Sequence, residues 1–323
     1  MGLMSMNDLV EVEGQPLVLN VDLQGEKTLD WAQRNRDELE SLVATNGAVL
    51  IKGLKVVSTG QFSKLLQTIF QGPLLEYQYR STPRTGLKGN IYTATEYHAS
   101  ETILQHNENA YSNEWPLRLG FLCMQASPVG GETPIADSCK LYDLIPQEIR
   151  DKFESKQLKY VRNYSDVDLP WQEVFQTSDK GEVEAFCRQK NIDFEWLPGD
   201  RLRTWQINPA SIVHPVSGKK VWFNQAHLFH VSSLGKDMKE SLINSLGKEF
   251  LPRNVYFGDG SEIDESELQL IRDLNQDLRI KFKWEKHNLM LIDNTRFSHG
   301  REPYEGNRKI LVGMSAPSGF QSV

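Results

Sequence analysis

Short apolar runs, each closed off by glycine, proline or an acidic or amide residue, recur along most of this chain and limit its architecture more than any other feature. Ala48-Val49-Leu50-Ile51 lies between Gly47 and Gly53 and is too short for a helix. Similar runs occupy 90–93, 117–125, 133–136, 159–164, 202–207, 212–213, 221–223, 278–284, 289–293 and 309–314. Between 117–125 and 133–136 stands Val129-Gly130-Gly131-Glu132, so a hairpin is expected there. Many short strands at turn-bounded spacing predict a mainly β fold with α decoration: a double-stranded β-helix, or jelly roll, of two antiparallel sheets with helical insertions.

Helical periodicity is concentrated at the start and in the intervening segments. Leu29, Trp31, Ala32, Leu39, Leu42 and Val43 form a stripe over 28–46, with Gly47 placed to end it. Ser58 is placed to cap a second helix, in which Phe62, Leu65, Leu66, Ile69 and Phe70 repeat at helical spacing before Gly72. Asp137 or Ser138 can cap a helix at 140–144, and Pro146 suits the first position of another. Polar helical patterns at 171–175 and 182–189 read as part of an insertion within 158–190. Further helices are expected over 237–250 and 264–274, the latter opened by Asp264 and Glu267. No repeat or linker divides the chain, so residues 1–323 are expected to form one domain.

With 39% hydrophobic and 24% charged residues this is an ordinary globular composition. A net charge of -7 and the lack of a Lys/Arg cluster argue against nucleic acid as a partner. Cys123, Cys139 and Cys187 are odd in number with no CxxC pair, which suits neither a disulfide framework nor a zinc ribbon, and a cytoplasmic location is expected. The N-terminal stretch has no basic region leading into an apolar core, and no apolar run reaches the roughly 18 residues of a membrane span. No membrane association is expected, and nothing in the sequence specifies an oligomeric state.

The chemistry is expected at Leu104-Gln105-His106-Asn107-Glu108, where an imidazole and a carboxylate stand two residues apart and, in an extended chain, face the same way. Downstream, 289–293 reads as a buried strand that delivers His299 just before Gly300 and Arg301. Two histidines and one carboxylate occupy one face of an octahedral metal and leave the opposite positions open, as non-heme Fe(II) oxygenases require. Thr133 and Arg308, a hydroxyl and a guanidinium, suit the far carboxylate of a dicarboxylate cosubstrate such as 2-oxoglutarate. His227 and His230 stand three apart but lack a nearby carboxylate. His98, His214 and His287 read as structural or surface histidines, and the acidic stretch 259–265 lacks the ligand spacing of a calcium loop.

The segments Ile91-Tyr92-Thr93-Ala94-Thr95-Glu96-Tyr97, His106-Asn107-Glu108, Gly130-Gly131-Glu132-Thr133-Pro134-Ile135-Ala136-Asp137-Ser138, Trp222-Phe223-Asn224-Gln225-Ala226-His227, Asn254-Val255-Tyr256-Phe257-Gly258-Asp259-Gly260 and Asp293-Asn294 through His299-Gly300-Arg301 resemble the TauD/TfdA superfamily of Fe(II)/2-oxoglutarate-dependent dioxygenases. More narrowly, the chain is similar to the SyrP-like and clavaminate synthase-like branch, in which glutamate replaces the commoner aspartate ligand. The resemblance implies His106, Glu108 and His299 as iron ligands, Thr133 and Arg308 on 2-oxoglutarate, and O2 as the oxidant. Arg84, Tyr92, Asn224 and Arg301 are candidate substrate contacts. The implied reaction is hydroxylation of an amino acid or amino-acid-derived natural-product intermediate, free or tethered to a carrier protein, with 2-oxoglutarate converted to succinate and CO2. Desaturation, cyclisation or epoxidation at the same centre is the alternative reading. A jelly-roll binding protein without activity and a zinc hydrolase are the rivals from other classes. Segments 76–88 and 165–180 are expected to form a lid.

Overall fold

The run Leu289-Met290-Leu291-Ile292 is apolar at every position because its strand is buried on both faces. In the computed structural model, which describes residues 9–11, 16–76, 79, 84–94, 97–165 and 167–320, the strand Leu289–Asp293 lies between Ala48–Lys52 and Glu114–Gln125 in an eight-stranded sheet. Thr95 and Glu96 of the motifs above lie outside the described residues, as do residues 1–8. Successive side chains of a strand point to opposite faces. Leu289 and Leu291 therefore pack with Trp31, Leu39, Phe62 and Leu65, while Met290 and Ile292 pack with Ile135, Phe282, Trp284 and Phe297.

The sheet order is Leu9–Val10, Leu17–Asn20, Ala48–Lys52, Leu289–Asp293, Glu114–Gln125, Lys309–Gly319, Ile91–Thr93 and Gly86–Leu87. Among the described residues only Leu17–Asn20 and Ala48–Lys52 pair in parallel. A parallel connection needs a crossover of roughly a dozen residues or more, and the helix Thr28–Asn46 supplies it. Gly47 ends that helix at φ 78°, donating its N–H to the Val43 carbonyl. Ser58 caps Thr59–Ile69 by accepting from the Gln61 N–H at 3.2 Å. Gly120 and Gly313 are register partners on adjacent strands, and a β-carbon at either would collide with Leu66. The two glycines thus make the hollow in which this second helix sits.

Across the other face lies a three-stranded sheet of Ile103–His106, Phe297–Arg301 and Ile135–Asp137. A further sheet, ordered Asp193–Leu197, Arg201–Asn208, Leu158–Tyr164 and Arg253–Phe257, builds its own core with the helices Gln147–Lys156, Trp171–Phe175, Lys180–Gln189 and Glu265–Asp277. Segment 158–190 is therefore more than an insertion, since its first strand is central to that sheet. Several sheets and helices share the structure as a mixed α/β fold, in which helices cover one whole face of the large sheet and build a separate core.

Other expectations are also corrected. The hairpin across Gly130 and Gly131 does not form: Ile135–Asp137 pairs with Phe297–Arg301, and Val129–Gly130 pairs with Tyr304–Glu305. The two glycines, at φ 64° and 75°, carry the chain from one sheet to the other. Residues 278–284 are not a strand; only the bridge between Ile280 and Ile135 forms, and the alternation of Phe282 and Trp284 reflects packing without a ladder partner. The expected helix over 237–250 divides at Gly247, φ 79°, into Lys236–Leu246 and a 3-10 turn, Lys248–Phe250. Pro146 is the N-cap of Gln147–Lys156 rather than its first residue.

Asp293 closes the central strand. It is 1% exposed and accepts from Arg118 Nη1 (2.8 Å), His214 Nε2 (3.2 Å) and Thr295 Oγ1 (2.6 Å). Burial raises its pKa, but His214 and Arg118 more than offset this and hold the carboxyl below its ordinary value. A depressed carboxylate stabilises fully above its unfolded pKa, about 3.9, and that contribution is lost as pH falls through the folded value. Asp293→Ala is expected to lower the unfolding free energy by about 3–5 kcal/mol at neutral pH, because it leaves the buried Arg118 guanidinium without this carboxylate. Urea denaturation checks this, and the deficit should shrink in acid below pH ~4.

Candidate metal centre

His106 ends the strand Ile103–His106 and is the direct register partner of His299 on Phe297–Arg301; their rings lie 4.6 Å apart. His299 is thus carried by the strand after the central one, beyond the turn at residues 294–296. Glu108 follows in a turn whose main chain is clamped. Its N–H donates to Asn294 Oδ1 at 2.7 Å, and Asn294 Nδ2 donates to its carbonyl at 3.0 Å and to that of Pro116 at 2.8 Å. Asn107 Nδ2 donates to the Asn294 carbonyl, and Gln225 Nε2 to the Asn107 carbonyl. The prospective ligand atoms of His106, Glu108 and His299 all lie within 4.8 Å of one another.

The donor chemistry fits a divalent metal. His106 Nδ1 lies 2.8 Å from the Leu104 carbonyl, which can only accept, so Nδ1 carries the proton and Nε2 keeps its lone pair for the site. Burial, and then the neighbouring His299, push the His106 pKa down to about 3, which keeps the imidazole neutral. For Glu108 burial acts upward, but the Arg84 guanidinium and His299 prevail and hold the carboxyl well below the usual range. Arg84 Nη2 donates to Glu108 Oε2 at 2.8 Å, and His299 Nε2 lies 3.6 Å from the same oxygen. Two imidazoles and one ionised carboxylate on one side of a cavity form the set that suits non-heme Fe(II). From the large sheet, Phe121 packs against His299 with ring centroids 5.0 Å apart.

Arg308 and Thr133 line one cavity with His106 and His299. Arg308 donates through Nε to the Gly131 carbonyl at 2.9 Å and through Nη2 to Thr133 Oγ1 at 3.3 Å. No carboxylate among the described residues lies within ion-pairing distance of it. Burial, helped by Arg301, lowers its pKa to about 10. A desolvated guanidinium beside a hydroxyl, with no ion-paired carboxylate among the described residues, suits a carboxylate ligand.

Of the four candidate substrate contacts, Arg84 bonds a triad side chain, and Arg301 lines the small cavity with His106 and His299. Arg301 donates to the carbonyls of Tyr97 (3.0 Å), His98 (2.6 Å) and Glu101 (2.8 Å), pinning a loop. Asn224 bonds the Ala210 carbonyl and the Ala226 N–H, and Tyr92 is packed between the sheets. Neither Asn224 nor Tyr92 lines the cavities that reach the triad. His227 bonds the Gln105 carbonyl, whereas His230 lines the larger cavity. That cavity, about 650 Å³, reaches His106 and Glu108 and is walled by Ile103, Leu228, Phe229, Val231 and Leu251, with the Asp168–Arg253 ion pair at 2.6 Å. Sequence reasoning missed Asn294, Gln225, Trp284 (which donates to Thr133 Oγ1 at 3.0 Å) and Asp168–Arg253. Asn294 and Gln225 lay inside the quoted motifs, but only contact with the main chain of the His-Asn-Glu segment gives them a role.

Two imidazoles and a carboxylate converging beside a guanidinium–hydroxyl pair define a mononuclear non-heme iron oxygenase site. A sequence model described as "Taurine catabolism dioxygenase TauD, TfdA family" matches residues 9–315, and the chain belongs to that family. It is 40% identical to the dapdiamide synthesis protein DdaC of Enterobacter agglomerans over 280 residues, 86% of this chain and 85% of that one. A clavaminate synthase-like protein of Arabidopsis thaliana is 28% identical over 288 residues, covering 85% and 83%. Among solved structures, AAD-2 in complex with Mn(II) and N-oxalylglycine shares the fold at TM-score 0.54 and 15% identity, with 97% of each chain covered. PvcB, an Fe, alpha-ketoglutarate dependent oxygenase from an isonitrile synthetic pathway, does so at 0.55 and 13%, covering 96% and 92%. This protein is accordingly an Fe(II)/2-oxoglutarate-dependent oxygenase of a small-molecule substrate, with His106, Glu108 and His299 as its facial triad. No helix among the described residues is long and apolar enough to cross a membrane.

Proposed function

We propose that the enzyme hydroxylates an unactivated carbon of an amino acid or amino-acid-derived natural-product intermediate, free or tethered to a carrier protein. The observation that carries this is the 650 Å³ cavity, which ends on His106 and Glu108 and sets charges of both signs, Arg84, Arg253, Glu101 and Asp168, among apolar walls. Such a lining suits a zwitterionic head and an apolar body together. The 40% identical relative, named for dapdiamide synthesis, supports a natural-product setting. The eight- and three-stranded sheets would be the two halves of a double-stranded β-helix, within one domain spanning 1–323.

Iron held by the triad, with 2-oxoglutarate and O2, supplies oxygen insertion into a C–H bond as succinate and CO2 are released. Arg308 and Thr133 hold the far carboxylate of 2-oxoglutarate. Burial keeps His106 neutral and its Leu104 bond fixes the proton on Nδ1, while Phe121 helps exclude water beside His299. The test adds 2-oxoglutarate and Fe(II) to the protein without oxygen, to read the visible band of the chelate. Amino acids and their acyl or peptidyl derivatives are then screened for succinate release coupled to a product one oxygen heavier. Succinate release that no compound of this class stimulates would refute the substrate assignment.

The proposed lid gains support in one of its two segments. Val167 and Asp168 line the large cavity, and Asp168 binds Arg253 through both carboxylate oxygens at 2.6 and 2.7 Å. Segment 76–88 contributes Arg84 to the same cavity, with 77, 78 and 80–83 outside the described residues. Substrate is expected to slow amide hydrogen exchange in 165–180 or 76–88, and Asp168→Ala to speed it several-fold over 165–170. Exchange unaltered by substrate in both segments would rule the lid out.

A further inference from the structure

The main chain of the His-Asn-Glu motif is fixed on both sides, by Asn294 at the N–H and carbonyl of Glu108 and by Gln225 at the carbonyl of Asn107. Those bonds place the Glu108 backbone but leave its carboxylate free to rotate about the end of a three-torsion side chain. Arg84 makes the contact that settles that rotation, donating through Nη2 to Oε2 at 2.8 Å with both side chains only 3–4% exposed. It comes from a different part of the chain from all three ligands. Arg84, Ile103 and His106 are also the residues common to the small cavity of Arg308 and the large one of Asp168, so the guanidinium stands at the junction of the two.

We infer that Arg84 is a positioning residue that holds Glu108 to a single presented oxygen, so that the carboxylate cannot swing to take a second coordination position on the metal. An oxygen already bound by a guanidinium has one lone-pair direction fewer to offer. A carboxylate released from that bond is free to chelate through both oxygens, as metal-binding carboxylates do. The position it would take is one that a bidentate keto acid needs. The charge of Arg84 works against metal affinity, since a cation beside a divalent ion is repelled. Its removal should therefore leave metal binding intact or tighter while weakening 2-oxoglutarate, a split that loss of structural support does not produce.

The inference rests on the triad and on 2-oxoglutarate binding beside it. The experiment compares Arg84→Gln with wild type in two titrations made without oxygen: Mn(II) alone, read by loss of the free-ion electron paramagnetic resonance signal, and 2-oxoglutarate into the Fe(II) protein, read by the chelate band. Arg84→Gln is expected to bind Mn(II) at least as tightly as wild type and to need at least tenfold more 2-oxoglutarate for half the band. An unchanged 2-oxoglutarate requirement overturns the proposal, as does a parallel loss of Mn(II) affinity and thermal stability, which marks a structural role. If the Gln form is not recovered folded, Arg84→Lys decides: its flexible ammonium should raise the half-saturating 2-oxoglutarate at least threefold, and a wild-type value overturns the proposal. Absence of the band from wild type itself would instead strike at the cosubstrate site.

Discussion

Alanine in place of His106 or His299, or glutamine in place of Glu108, is expected to abolish iron-dependent turnover. Removing a residue that merely supports a metal ligand costs about 10–100-fold in affinity or activity, and removing a ligand costs more. The physical basis is that each of the three contributes a lone pair to one small volume, with ligand atoms within 4.8 Å of one another, and two donors do not make a facial set. Glutamine is preferred at 108 because it leaves Arg84 a carbonyl acceptor, whereas alanine would leave a buried guanidinium without its carboxylate. Mn(II) titration, succinate release and a thermal melt on each variant check the prediction. The melts should stay near wild type, since His106 and His299 sit on strands paired by main-chain bonds. Any one variant that keeps wild-type turnover would remove that residue from the triad.

The second large effect is expected at Arg308. Arg308→Ala should raise the half-saturating concentration of 2-oxoglutarate by roughly 30- to 1000-fold, corresponding to about 2–4 kcal/mol for losing a charge-assisted pair, with little change in the Michaelis constant for substrate. Arg308 is desolvated, faces the triad cavity and has no carboxylate partner among the described residues, so its charge is available to a ligand. Thr133→Ala should cost less, because a neutral hydroxyl already engaged by Trp284 Nε1 and Arg308 Nη2 is lost. Arg301→Ala is the control. Its guanidinium is spent on three backbone carbonyls, so the change should appear in stability and local exchange more than in cosubstrate affinity. If Arg301→Ala destroyed 2-oxoglutarate binding and Arg308→Ala did not, the two assignments would be exchanged.

How these residues come together was only partly legible beforehand. The stripe of Phe62, Leu65, Leu66 and Ile69 with Ser58 before it determined a capped helix, because side-chain spacing and an N-terminal hydroxyl act within one turn of chain. Leu289-Met290-Leu291-Ile292 determined a strand buried on both sides for the same local reason. The triad was readable because its residue types are limited by metal chemistry rather than by geometry: few side chains besides histidine and a carboxylate can hold Fe(II) and leave positions open. The sequence did not reveal pairing. The Gly130-Gly131 turn looks like a hairpin, yet hydrogen bonds from Ile135–Asp137 go to Phe297–Arg301, more than a hundred residues away, because that exchange completes a second sheet over the first.

The same divide runs through the functional residues. By itself the sequence determined the ligand set and most of the elements, since each follows from side-chain chemistry or a local period. Tertiary structure alone decided which arginine does what. Arg84, Arg301 and Arg308 are equivalent in composition, but one meets Glu108, one meets three carbonyls and one meets Thr133. That choice is made by which acceptors the packed sheets bring within about 3 Å, and charge-assisted bonds of this kind depend on distance and direction that the order of residues does not contain.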